Sequence, residues 1–245
     1  AWTTLTIQPN GGTKIISGNI TPGLPMIDLN GADNVIIDGL SSNGLEIRNN
    51  TASSVSGTST IRFQSDAVNN KIRNCRITGS ADMGPTTNGG IIWFGGNSAT
   101  TGNDNNVISN CDVGPLNNYY DLATKCFHFS GTTTTDNLNN SGDTVRNCNI
   151  FDYFSNTVSS SGIYIGTGTT NTIIKDNKFY KQLPGNADST LQHSAIWISN
   201  TAGNNFLISS SFGCVPYSQI SNASTYFTST AFSFPYHCSN DLRTS

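Results

Sequence analysis

The chain has 245 residues and a formal net charge of −3 at pH 7, and Asp, Glu, Lys and Arg make up only 11% of it. Because the charge is small and like charges do not run together, we expect neither a nucleic-acid partner nor an acidic disordered tail. No apolar stretch approaches the roughly 18–20 residues of a transmembrane helix, so no membrane span is expected. Gly, Asn, Ser and Thr fill the gaps between short apolar triplets.

One unit repeats along the chain, and it is clearest at residues 162–179, where a short strand, a Gly/Thr turn and a second strand follow one another. In each first strand, two large apolar residues flank a central residue. The seven central residues are Asp28, Arg62, Trp93, His128, Tyr164, Trp197 and Ser233. A repeat of this length indicates a stacked solenoid. We therefore predict one domain over 1–245, with regular coils over 5–212 and a last coil with a covering segment over 213–245.

The alternation within the triplets predicts an all-β fold. Ile61 and Phe63 would point to one side of a strand and Arg62 to the other. A helix would need apolar residues at a spacing near 3.6, which is not observed. Strands that recur without intervening helices favour a single-stranded, right-handed parallel β-helix of about seven coils of roughly 34 residues each.

The repeat unit also carries a family resemblance. Its Gly-Ile strand and Asn-closed second strand resemble the repeat of the pectate-lyase-like right-handed β-helix superfamily. This resemblance implies that Asn177 stacks inward at a sharp turn. Residues 5–19 and 27–39 are similar to β-helix surface proteins that Bacteroidetes secrete through the type IX pathway, which implies an extracellular or cell-surface location.

Five of the six cysteines form two groups. The first recurs 36 and 37 residues apart at the register of Asn177 and predicts a buried column of thiols: Cys75, Cys111 and Cys148. Cys214 and Cys238 lie outside this column and could form a disulfide near the C-terminal end. Cys126 is expected to point outward or into a turn. No spacing is typical of a metal site, so neither a metal nor another cofactor is predicted.

The outward positions of the first strand are the main functional candidate. Stacked coils would align the central residues about 4.8 Å apart on one face. Five of them are aromatic or basic, and we call these five the strip: Arg62, Trp93, His128, Tyr164 and Trp197. Aromatic rings stack on sugars while neighbouring polar groups bond hydroxyls, so the strip is a candidate glycan-binding surface. The alternative is that loops fold over it and make it an external hydrophobic cluster.

A polysaccharide lyase or glycoside hydrolase is the enzymatic alternative. Such enzymes cluster carboxylates around the scissile bond or around calcium. No two of the 15 acidic residues are adjacent in sequence, and only folding could bring Asp28 to Arg62, or Asp82 to Asp121. We therefore name no catalytic residue and favour a non-enzymatic role.

A third class of function is structural. The open ends of a β-helix expose unpaired backbone, which favours end-to-end self-association or pairing with further domains of the same polypeptide. The sequence thus predicts a secreted or cell-surface β-helix that acts as an adhesin or glycan-binding module. Its expected partner is a polysaccharide or cell-surface glycan. A filament subunit and a polysaccharide-degrading enzyme remain the alternatives.

Overall fold

The structure is a computed structural model that describes residues 3–116, 123–181, 190–201 and 205–212. Over these ranges the chain is a right-handed parallel β-solenoid of six turns and the start of a seventh, which confirms the predicted fold class. Paired residues in successive turns are 28 to 37 residues apart. The described ranges contain no helix long and apolar enough to cross a membrane.

Each turn contributes three short strands, which lie on three faces that we number I, II and III. The strands are β1 (Leu5–Ile7), β2 (Lys14–Gly18), β3 (Pro25–Asn30), β4 (Val35–Asp38), β5 (Leu45–Ser53), β6 (Ser59–Gln64), β7 (Lys71–Arg73), β8 (Cys75–Ala81), β9 (Gly90–Phe94), β10 (Val107–Ser109), β11 (Asp112–Pro115), β12 (Lys125–Phe129), β13 (Asn140–Ser141), β14 (Thr144–Arg146), β15 (Asn149–Phe151), β16 (Ser160–Ile165), β17 (Thr169–Thr170), β18 (Ile173–Tyr180), β19 (His193–Ile198) and β20 (Leu207–Phe212). One turn of 3₁₀ helix, Asp136–Leu138, precedes β13.

All strand pairs are parallel. Face I contains β1, β4, β7, β10, β14, the first half of β18 and the start of β20. Face II contains β2, β5, β8, β11, β15, the second half of β18 and the end of β20. Face III is the six-stranded sheet β3-β6-β9-β12-β16-β19. Strands β13 and β17 form a small pair of their own.

The sequence predicts two strands per coil, whereas the structure has three. The predicted second strand breaks at Asn74, Asn110 and Asn147, whose φ angles are 59°, 54° and 53°. Asparagine tolerates this left-handed conformation better than most residues. Asp176 (φ 56°) occupies the same level within β18. These residues turn the chain from face I to face II.

Stacked side chains fill the interior of the solenoid. Phe63, Phe94 and Phe129 are fully buried on consecutive strands of face III. Their ring centroids are 4.5 and 4.3 Å apart, with interplanar angles of 2° and 12°. The ring spacing follows the strand spacing, so the core repeats with the backbone.

The predicted column of thiols is confirmed. Cys75, Cys111 and Cys148 are buried and free. Asn177 continues the column: its Oδ1 accepts the Cys148 amide at 2.9 Å, and its Nδ2 donates to the Val145 carbonyl at 2.9 Å. Burial raises the pKa of Cys111 well above its ordinary value, which disfavours the reactive thiolate.

The expectation that Cys126 points outward is wrong. Its side chain is fully buried, and its Sγ lies 3.6 Å from the Val113 carbonyl oxygen. Cys126 and the adjacent Phe127 both join the core. Cys126 therefore departs from the alternation within β12 on which the expectation rested. Cys214 and Cys238 lie outside the described residues, so their disulfide stays a prediction.

Two ladders of buried amides run along the corner between faces III and I. In the first, Asn70 Nδ2 donates to Asn106 Oδ1 at 3.0 Å, and Asn106 Nδ2 donates to Asp143 Oδ1 at 3.1 Å. In the second, Asn103 Nδ2 donates to Asn140 Oδ1 at 2.9 Å. Each accepting oxygen also receives a backbone N–H from the preceding turn. The ladders therefore satisfy backbone groups where the strands are interrupted.

Asp143 occupies the position of an amide in the first ladder. Its Oδ1 accepts both bonds from Asn106, and its Oδ2 is buried with no hydrogen-bond partner in the described part of the chain. The corresponding Nδ2 atom of Asn106 donates to the Ala67 carbonyl of the preceding turn at 2.9 Å. Burial raises the pKa of Asp143 well above its ordinary value. We therefore expect a neutral carboxylic acid at this position.

Candidate functional site

Face III aligns the five residues of the strip. Strand pairing places Arg62 opposite Trp93, Trp93 opposite His128, His128 opposite Tyr164, and Tyr164 opposite Trp197. Asp28 extends the line by pairing with Arg62. The central residue of the seventh copy, Ser233, lies beyond the described ranges.

The strip is open at its two ends and closed in its middle. Trp93, His128 and Tyr164 retain only 8%, 1% and 4% of their exposed surface. Arg62 and Trp197 are half-buried. The strip is therefore not the continuous exposed aromatic surface that was expected. Its middle is covered by a loop, as the alternative prediction had it.

Four residues form a connected group that runs from the end of the strip near β3 into its closed middle. Arg62 donates from Nε to Asp28 Oδ1 at 3.0 Å and from Nη2 to Asp28 Oδ2 at 2.7 Å. The guanidinium carbon lies 5.8 Å from the centroid of the Trp93 ring, a distance typical of a cation–π contact. Trp93 Nε1 donates to Ser130 Oγ at 2.9 Å. The charge of Arg62 is thus compensated within the protein.

Two glycines, each directly after the end of a strand and two residues beyond a strip residue, allow the rings of Trp93 and Tyr164 to lie over the backbone. A Cβ atom added at Gly95 would lie 3.0 Å from Trp93 Cζ2. A Cβ atom added at Gly166 would lie 3.2 Å from Tyr164 Cε1. These contacts are tighter than ordinary van der Waals contact, so larger residues would push the rings outward.

Lys125 fastens the segment 84–89 over the middle of the strip. Its Nζ donates to the carbonyl oxygens of Gly84 at 3.0 Å and Pro85 at 3.1 Å, and to that of Thr87. The side chain is fully buried and makes no ion pair with any residue that the structure describes. Burial lowers the pKa of Lys125 to about 7. The three carbonyls occupy the donors of this amino group, so its role in this conformation is to hold the segment.

His128 lies under the same segment as a neutral ring. Its Nδ1 is 2.9 Å from the Gly89 carbonyl oxygen, which requires the proton on that nitrogen. The ring meets Tyr164 edge-on, with centroids 5.2 Å apart. Burial and the nearby charge of Lys125 lower the pKa of His128 well below its ordinary value. The closed middle of the strip is therefore packed and offers no open charged group.

The carboxylates considered for catalysis do not form a pair in the described residues. Asp28 is bound to Arg62, and Asp82 accepts hydroxyl hydrogen bonds from Ser155 at 3.3 Å and Thr157 at 3.1 Å. Asp121 falls in a range that the structure does not describe. Within the described ranges, no group of three or more His, Cys, Asp or Glu residues could hold a metal ion.

Comparisons with known proteins give one distant structural match. No protein-family profile matches the sequence, and no curated protein matches it significantly. A solved structure, the alginate lyase from Paenibacillus sp. str. FPU-7, is similar at 14% sequence identity over 83% of this chain and 88% of that chain, with a TM-score of 0.28. Values this low carry no argument about the activity of this protein.

Proposed function

We propose that this protein is a secreted or cell-surface adhesin or carbohydrate-binding module that binds glycans on face III. The observation that carries the proposal is the open end of the strip at β19. Trp197 is half-buried there, and its ring centroid lies 5.8 Å from that of Tyr164 at an angle of 61°. A partly open indole on a rigid sheet provides a platform on which a sugar ring can stack.

Uncharged polar side chains near the strip supply hydrogen-bonding groups for sugar hydroxyls. Asn30 is exposed and pairs with the half-buried Gln64 at the ends of β3 and β6. Ser130 is half-buried, and its hydroxyl donates to the exposed Asn88 at 3.2 Å. Amides and hydroxyls both donate and accept hydrogen bonds, as sugar hydroxyls do.

The extracellular location belongs to the same proposal. It is supported by the resemblance to the pectate-lyase-like superfamily and to type IX surface proteins.

Assembly into a filament or a larger surface protein is the second candidate. Apolar side chains of the first turn are exposed, including Leu5 at 41% and Ile15 at 54%. Strands β1, β2 and β3 also stand at the ends of their sheets. Exposed apolar residues beside strands that end a sheet of the described ranges favour contact with further β-structure.

The proposed function is tested with immobilised polysaccharides, half of them neutral and half acidic. Retention of the protein and release of reducing ends or unsaturated products are measured in the same incubation. We expect retention on at least one polysaccharide without product. Product release would overturn the proposal in favour of an enzyme, and absence of retention together with concentration-dependent rods in negative stain would favour assembly.

A further inference from the structure

We infer that the glycan bound on face III is an uncharged polysaccharide, an inference that rests on the proposed function and specifies its ligand class. The six strands of face III contain only three residues with side chains that are ordinarily charged at pH 7: Asp28, Arg62 and Lys125. Recognition of a polyanion needs cationic groups that are free to pair with it. On these six strands, no cationic side chain has a charge that is free to pair with a polyanion.

Arg62 is occupied by the carboxylate beside it. Both bonds of the bidentate pair are short, at 2.7 and 3.0 Å; they use the Nε/Nη2 edge of the guanidinium, and the carboxylate compensates its positive charge. The Asp28 side chain is 33% exposed, whereas that of Arg62 is 14% exposed. An approaching polyanion would therefore meet the carboxylate before the guanidinium and would have to displace it.

The second cation, Lys125, is inaccessible to a ligand. Lys125 is fully buried, and carbonyl oxygens surround its amino group. His128 is neutral because burial lowers its pKa well below the ordinary value. Neither side chain can contribute positive charge to a ligand on the outer surface.

A carboxylate at the adjacent corner adds negative charge. Asp66 accepts backbone N–H groups of Ala99, Thr101 and Gly102 at 3.0 to 3.2 Å. Burial raises the pKa of this carboxyl, but these hydrogen bonds outweigh the effect and lower the pKa of Asp66 to about 2. Asp66 is therefore ionised at neutral pH and disfavours acidic polymers near this end of the face.

The groups that remain accessible suit an uncharged ligand. Half-buried Trp197 offers an apolar surface, and Asn30, Gln64 and Ser199 offer amide and hydroxyl groups at least partly in contact with solvent. Stacking and neutral hydrogen bonds recognise hexose and pentose polymers such as glucans, mannans and xylans.

The test compares retention on these neutral polymers with retention on alginate, polygalacturonate and chondroitin sulfate, each at 50 and 300 mM NaCl. We expect retention on at least one neutral polymer that changes less than twofold between the two salt concentrations, and none on the acidic polymers. Retention on acidic polymers alone, or a loss above tenfold at high salt, would overturn the inference while leaving glycan binding intact. No retention on either class would instead refute the proposed function.

A charge variant provides a second readout. Asp28→Asn frees the guanidinium of Arg62 and is expected to create salt-sensitive retention on the acidic polymers, at least fivefold above wild type at 50 mM NaCl. Asp33→Asn removes one carboxylate from an exposed position outside the strip and is expected to leave retention unchanged. If circular dichroism shows that Asp28→Asn is folded, but its retention on acidic polymers does not exceed that of the control, then compensation of the Arg62 charge by Asp28 does not determine the ligand class.

Discussion

Replacing Asp143 with asparagine is expected to raise the free energy of unfolding by about 2 kcal/mol at pH 8. The new Nδ2 would stand where Asp143 Oδ2 is buried without a partner within the described ranges, and it would continue the amide pattern of Asn70 and Asn106. A carboxyl whose pKa is raised by folding binds its proton more tightly in the native state. The stability that this bound proton contributes is therefore complete below about pH 4, and it is lost as the pH rises toward the pKa of Asp143 in the folded protein.

Chemical denaturation from pH 4 to pH 9 checks this prediction. The stability difference between Asp143→Asn and wild type is expected to widen as pH rises. Lys125, whose pKa burial lowers to about 7, titrates in the same range in both proteins, so its contribution cancels in the difference. Asp104, whose pKa burial raises to about 6, helps to raise the pKa of Asp143, so its titration belongs to the same measured difference. Asp136→Asn, at an exposed carboxyl, is the matched control and should show no widening. A variant difference that is flat across the range would contradict a neutral Asp143.

Alanine replacements of the two tryptophans of the strip are expected to affect different properties, glycan binding in one case and stability in the other. Trp197→Ala should weaken glycan binding about 10- to 30-fold with little loss of stability, because Trp197 keeps a surface open to a ligand. Trp93→Ala should instead lower the free energy of unfolding by about 3 kcal/mol, because its buried ring packs beside Arg62 and bonds Ser130.

Binding isotherms and denaturation curves of both variants are measured side by side. Leu207→Ala removes an apolar side chain that is 55% exposed on face I and should alter neither quantity strongly. If Trp197→Ala binds like wild type, the open end of the strip is not the glycan site.

The repeat made the fold and the alignment of the strip predictable. The same period that groups Arg62 with Trp93 in the sequence also pairs them across β6 and β9. Inward positions such as Phe63 and Phe94 alternate with these outward residues, so the side of the sheet on which each lies follows from the pattern.

Exposure of the strip could not be predicted from the same pattern. The covering segment is not periodic, and the residue that holds it, Lys125, stands at the start of a strand where a lysine is ordinarily solvated. The amide ladders could not be predicted from the sequence for a different reason. Asparagine is abundant throughout the chain, so Asn70 and Asn106 do not stand out until the corner brings them together.

The most direct test of the central claim is hydroxyl-radical footprinting of the protein with and without a polysaccharide that retains it. Oxidation of Trp197 on face III is compared with oxidation of Leu207 on face I, so that scavenging by the sugar cancels in the ratio. Glycan binding on face III predicts at least about a threefold fall in the ratio of Trp197 to Leu207 oxidation, given the expected burial of the indole. Unchanged labelling of Trp197 together with protection of Leu207 would place the ligand on face I and contradict the account.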